Sequence, residues 1–74
     1  MPRHRVSPKK LLLSKWTAVE PRDRERHFLV TKVLSDDEGI PVSCRLEAVL
    51  TRREFEVDWR ELRDEAHWQV GWRS

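Results

Sequence analysis

The side chains able to do chemistry in this chain are few and scattered. One cysteine, Cys44, and three histidines, His4, His27 and His67, are the only thiol and imidazole groups in 74 residues. No two of them stand at the short spacing that builds a zinc site. The acidic stretch Asp36-Asp37-Glu38-Gly39 lacks the alternating oxygen ligands of a calcium loop. No metal or other cofactor is therefore expected. A thiolate nucleophile needs a base within hydrogen-bond reach and an electropositive, accessible setting. Cys44 instead falls in the apolar series Val42, Cys44, Leu46, Ala48, Leu50, where a cysteine behaves as a small hydrophobe. The two glycines, Gly39 and Gly71, are 32 positions apart, which excludes a glycine-rich phosphate cradle. Glu54, Glu56 and Asp58 share the outward side of a strand, not a cleft that would tune a carboxyl group for acid–base work. Taken together these residues argue against an enzyme.

Binding chemistry is better represented. Tryptophans stack bases, and lysines and arginines track phosphates. The chain holds four tryptophans and 15 basic residues against 13 acidic ones. Four of the basic residues, Arg3, Arg5, Lys9 and Lys10, stand in the first ten positions, where there is no acid. The remaining 64 residues carry 11 basic and 13 acidic groups. A cationic arm thus precedes a nearly neutral body, a pattern suited to phosphates or to an acidic partner. Within the arm, Ser7-Pro8-Lys9-Lys10 resembles the SPKK turn of DNA-binding tails, in which a proline-initiated turn presents two lysines. Arg52 and Arg53 are expected at a hairpin tip, and Arg22, Arg24 and Arg26 in a loop. The candidate contact residues are Arg3, Arg5, Lys9, Lys10, Arg52, Arg53 and Trp72. Asp23, Glu25 and Glu54 stand among the arginines and dilute such a surface.

The elements that must position these residues read as strands. Residues 1–10, with Pro2 and Pro8, form a flexible arm, and residues 11–74 form one small domain. Trp16 to Val19 suits a strand, which Pro21 ends, and residues 20–26 form a charged loop. His27 to Leu34 is a second strand, followed by a turn at Asp36 to Gly39, and Pro41 opens a third. Residues 42–50 and 55–59 both alternate with a period of two, the mark of half-buried strands. A turn at Arg52-Arg53 would set Leu50 opposite Phe55, Ala48 opposite Val57 and Leu46 opposite Trp59, with every apolar pair on one face. The same register sets Glu47 against Asp58, and Arg-Arg lacks the residues a two-residue hairpin turn prefers. From Trp59 to Leu62 the apolar step becomes three, so residues 60–65 make a helical turn, with Asp58 as its N-cap. Trp68, Val70 and Trp72 restore the period of two as a closing strand.

The expected fold is mainly β: an antiparallel meander of about five strands with one helical turn. Small SH3-like or Sm-like barrels share that outline, and closing the sheet would remove its edges. The alternative is an open sheet. So short a domain gathers a marginal core, and a lone cysteine rules out an internal disulfide. Large aromatic residues are the remedy on view, with Trp16, Trp59 and Trp68 expected in the core and Trp72 exposed. The single cysteine suits a reducing compartment. No apolar run approaches the ~20 residues of a membrane span, and Leu11-Leu12-Leu13 is too short for a signal-peptide core. A cytoplasmic address follows as the expectation.

The segments Ser14-Lys15-Trp16-Thr17-Ala18-Val19-Glu20-Pro21, Arg26-His27-Phe28 and Leu46-Glu47-Ala48-Val49-Leu50-Thr51 carry a resemblance. So does the ending, Asp58-Trp59-Arg60-Glu61-Leu62 with His67-Trp68 and Gly71-Trp72. Together they resemble a family of short tryptophan-rich bacterial proteins of unknown function. The resemblance covers about residues 10–72. It implies a bacterial cytoplasmic protein and brings no activity, cofactor or site residue with it.

Two functions of different classes fit these readings. One is a small β module that binds RNA, DNA or an RNA–protein assembly, with the arm and arginine loops on phosphates. The other is a protein-interaction module that docks on a larger cytoplasmic machine through an exposed tryptophan or a sheet edge. Fold alone does not choose between them. The arm inclines the reading to the first.

Overall fold

The computed structural model describes residues 6–74; Arg3, His4 and Arg5 lie outside them. Five strands form one antiparallel sheet: β1 (Lys15–Arg22), β2 (Glu25–Ser35), β3 (Pro41–Ala48), β4 (Glu54–Asp58) and β5 (Trp68–Val70). Their order is β4-β3-β2-β1-β5. The sheet is open, with β4 and β5 at its two ends. The mainly β meander holds, in its open form. No α-helix occurs among the described residues, only 3-10 turns at Pro8–Lys10 and Trp59–Arg63.

The alternation of side chains across each strand builds one apolar face. Its buried part is Leu11, Trp16, Phe28, Val30, Cys44, Leu46, Ala48 and Leu62. Phe55, Val57, Trp59 and Trp68 pack against it, and so does Val6, upstream of the expected domain start. Trp16 is buried, as its neighbours require, while Trp59 and Trp68 are half-buried. The Trp16 indole donates to Ser14 Oγ at 2.8 Å, and that of Trp59 to the Pro41 carbonyl at 3.0 Å. Leu62 reaches the core because Asp58 caps the 3-10 turn, accepting from the Arg60 amide at 2.9 Å. The Glu61 carboxylate accepts in return from the Asp58 amide at 3.2 Å. This reciprocal arrangement is a capping box. The cap falls where expected, and the turn itself is shorter than residues 60–65.

Three local expectations are corrected. Pro21 does not end the first strand, and residues 20–26 are not a loop. β1 runs on to Arg22 and turns tightly through Asp23 and Arg24, both at positive φ (54° and 63°), as a two-residue hairpin turn of type I′ demands. The ladder between β1 and β2 is irregular between Thr17 and Arg22, which is where a sheet tolerates proline.

The β3–β4 register is the second correction. Leu46 faces Phe55 and Cys44 faces Val57, a slip of four positions from the expected pairing. An even slip leaves every side chain on its expected face, so periodicity could not detect it. The connection is a longer loop over residues 49–53, with Arg52 at φ 66° and its amide bonded to the Ala48 carbonyl at 2.8 Å. The loop is tied down elsewhere. The Val49 amide donates to His27 O at 2.9 Å, and Thr51 Oγ1 donates to Glu25. Glu47 consequently faces Glu54 rather than Asp58, and the Arg52 guanidinium offsets that like-charge pair at 3.1 Å from Glu47.

The third correction is at the C-terminus. β5 stops at Val70, and Gly71, at φ 80°, turns the chain out of the sheet. Trp72 does not continue the strand.

The two registers predict different mutational costs. Leu46→Ala, in a fully enclosed site, is expected to cost about 2–5 kcal/mol of unfolding free energy. Leu50→Ala, at a position 70% exposed, is expected to stay within about 0.5 kcal/mol of the parent. Urea unfolding with an unchanged m-value checks both, and a large loss at Leu50 would favour the expected pairing over the observed one.

Candidate nucleic-acid interface

The outer face of the sheet carries the residues that alternate with the core. Opposite Trp16 and Phe28 in phase stand Lys15, Thr17, His27 and Leu29. The turn at Gly71 lays the C-terminal residues across this face. Thr17 Oγ1 donates to the Gly71 carbonyl at 2.7 Å and accepts from the Arg73 amide at 2.9 Å. His27 Nε2 lies 2.6 Å from the Arg73 carbonyl. Thr17 is buried in consequence.

This strap fixes Trp72. Its indole N–H donates to the Phe28 carbonyl at 3.0 Å. The His27 ring lies 6.1 Å from it, tilted by 42°, and the Lys15 ammonium stands 4.8 Å from the ring centroid. Such a cation–π contact is worth about 0.5–1 kcal/mol at an exposed site. Trp72 remains 45% exposed. It is held by its edge and shows much of its surface to solvent.

Cations surround it. His27 also lines a hollow of about 360 Å³ with Arg24, Arg26, Val49 and Leu50, so the tryptophan and the hairpin arginines share one border. Arg73 adjoins Trp72, and its guanidinium donates to the Val70 carbonyl at 3.1 Å. Among the described residues, no carboxylate forms an ion pair with Lys15, Arg24, Arg26 or Arg73. The result is an aromatic surface flanked by cations, with a polar strap beneath it.

The expected contact residues divide. Trp72 is exposed on this outer face, as anticipated. Lys9 and Lys10 are exposed in the 3-10 turn just upstream of Leu11, whose burial anchors the segment that leads into Lys15. Arg52 and Arg53 are engaged by acids. Arg52 holds Glu47, while Arg53 lies 3.3 Å from Glu25 and 3.7 Å from Asp23. Arg53 also covers the Phe55 ring at 5.1 Å, on the apolar face of the sheet. Arg3 and Arg5 lie outside the described residues. Lys15, His27 and Arg73 were missed. Lys15 alternates with Trp16 along β1 and so faces outward, but only the return of the C-terminus brings a tryptophan to it.

Cys44 is fully enclosed on the core face. Burial, followed by the charges of Glu61 and Asp58, pushes its thiol from the ordinary value of 9.0 up to about 11. Among the described residues no group of three His, Cys, Asp or Glu side chains gathers to hold a metal ion. Asp58 is held below the usual carboxylate range, first by its side-chain hydrogen bond from Arg60. No helix among the described residues is long and apolar enough to cross a membrane.

With this geometry in place, the comparisons with known proteins add one result. A family model described as tryptophan-rich protein (DUF2389) matches residues 14–73, so the chain belongs to that family, which has no known function. No curated protein and no solved structure matches the chain.

The enclosure of Cys44 has a measurable consequence. A thiol whose folded pKa is raised binds its proton more tightly in the native state. Its stabilising contribution is complete below pH 9.0 and is lost as pH rises toward about 11. Stability by urea titration is expected to fall across that window, and Cys44→Ala to flatten the fall. Iodoacetamide at pH 8 is expected to label Cys44 only in denaturant; rapid labelling of the native protein would contradict the burial.

Proposed function

We propose that this tryptophan-rich chain is a non-enzymatic, cytoplasmic binding module that contacts single-stranded nucleic acid, RNA in particular, through the outer face of its sheet. The observation that carries this reading is Trp72: half-exposed, pinned through its indole N–H, and bordered by Lys15 and His27 beside the arginine-lined hollow.

The physical fit has three parts. A base stacks on an indole regardless of its identity, worth about 1–3 kcal/mol per base. Fixing Trp72 in the free protein removes part of the ordering cost of binding. Lys15, Arg24, Arg26 and Arg73 supply phosphate contacts from cations that no described carboxylate neutralises. Lys9 and Lys10 extend the same charge from the adjoining segment, whereas Arg52 and Arg53, already held by acids, contribute little. Stacking on Trp72 needs a base free of its pairing partner, which supports single-stranded over duplex substrates. An enclosed thiol supports the non-enzymatic reading, because a nucleophile must be reachable.

Titration of the intact protein with oligouridylate and with oligodeoxythymidylate, followed by tryptophan fluorescence, tests the proposal. The association constant is expected to fall linearly on a log–log plot against salt, with a slope of about −0.7 per phosphate neutralised. Trp72→Ala is expected to weaken binding by about 1–3 kcal/mol. Lys15→Ala is expected to weaken it across all sequences and shallow the salt slope. Absence of binding at low salt, or binding indifferent to Trp72, would remove the reading.

A further inference from the structure

The apolar face of the sheet is only partly covered. A groove of about 300 Å³ opens on it, floored by Phe28, Leu46, Phe55, Val57 and Trp68. One wall is β4, an end strand of the sheet. The Ala48 amide donates to the Arg53 carbonyl at 2.8 Å, which identifies the hydrogen-bonded pairs of the β3–β4 ladder. Such pairs alternate with non-bonded ones. Phe55 and Val57, two and four positions on, therefore turn their backbone groups to β3. Glu54, Glu56 and Asp58 turn theirs to the open edge. The Asp58 amide is already used in the capping box, which leaves the backbone groups of Glu54 and Glu56 as the edge.

The side chains of β4 alternate in the same rhythm. Glu54 and Glu56 are exposed on the outer side, while Phe55 and Val57 are half-buried toward the groove. Glu54 stands across from Glu47, whose carboxylate is engaged by Arg52. Glu56 stands across from Arg45 without an ion pair among the described residues. A strand laid antiparallel on this edge would set one row of its side chains beside two glutamates and the other over an apolar floor.

We propose that the β4 edge and the adjoining groove bind an extended protein segment in which basic and apolar residues alternate. Its backbone bonds to Glu54 and Glu56, its cations pair cross-strand with their carboxylates, and its apolar side chains fill the groove beside Phe55 and Val57 toward Trp68. A second copy of this chain does not suit the edge. Antiparallel β4 against β4 sets glutamate against glutamate or aspartate, and like charges directly opposite are unfavourable. The acidic edge thus both repels its own kind and selects a cationic strand. Its groove lies on the opposite face from Trp72, and its two glutamates stand on the end strand farthest from β1 and β5, so it stands or falls separately from nucleic-acid binding.

The test uses the intact, isotope-labelled protein and a short acetylated peptide of alternating lysine and valine, followed by amide NMR shifts. Shifts are expected at Glu54–Asp58 and at the Trp68 indole. A scrambled peptide of the same composition is expected to bind about tenfold more weakly, and an alternating glutamate–valine peptide not at all. In the double variant Glu54→Lys/Glu56→Lys the preference should reverse toward the glutamate peptide. Both positions are solvent-exposed, and circular dichroism confirms that this variant folds. Equal binding of the ordered and scrambled peptides, shifts confined to the Trp72 face, or no binding would overturn the proposal.

Discussion

The curvature of the sheet is held at Phe28. It sits on the central strand β2, and its ring meets Trp68 of β5 edge-on at 5.3 Å and Phe55 of β4 at 6.1 Å. These two contacts bring residues from both end strands onto one ring. Ala48, directly across from Phe28 in β3, is small enough to leave room for Phe55 to approach. Offset and edge-on aromatic pairs contribute about 0.5–1.5 kcal/mol beyond the area they bury, a substantial share in a domain with so few buried residues. Without that ring, the ends of the sheet would lose their common contact, and the groove between them would lose its floor.

The backbone of the same residue serves the other side of the sheet. The Phe28 carbonyl accepts the Trp72 indole, so one position organises the apolar face through its side chain and the outer face through its main chain. Thr17 plays a matching part on β1, its hydroxyl donating to the Gly71 carbonyl and accepting from the Arg73 amide. The exposed tryptophan lies outside the strands, but its segment is bonded to β1 and β2 at Thr17 and Phe28, which fixes it as a pre-arranged contact surface requires. The two surfaces of the molecule differ in kind. Around Trp72 the outer face gathers cations without carboxylate ion pairs among the described residues, whereas the arginines of the loop between β3 and β4 are held by acids: Arg53 by Glu25 and Asp23 on the apolar side, Arg52 by Glu47 at the far end of the outer face.

Much of this was readable residue by residue. The alternation through β3 and β4 identified which side chains face inward, including Cys44 in the core. The change of apolar spacing after Trp59 located the helical turn, and Asp58 announced its cap. Trp72 was recognised as the exposed tryptophan. What alternation cannot carry is register, since a slip of four positions preserves every inward residue. The turn chemistry gave little help. Arg52 adopts a positive φ without being glycine or asparagine, and Asp23-Arg24 make a tight turn whose second residue is atypical for it. At Pro21 a local rule yielded to the irregular ladder of β1.

By itself the sequence determined the strand-rich class, the inward and outward sets of residues, and the family resemblance. Those depend on local periodicity and residue type, which neighbours along the chain settle between themselves. Tertiary structure alone decided which outward residues meet. Lys15 and Trp72 are far apart in the chain, and they touch because β5 pairs with β1 and Gly71 then sends the tail across Thr17. Arg52 and Arg53 looked equally available as charges, yet the loop they occupy places each beside a carboxylate. Cations and acids written side by side in a sequence carry no sign of which will be neutralised, because Coulomb pairing depends on a distance that only the folded chain sets.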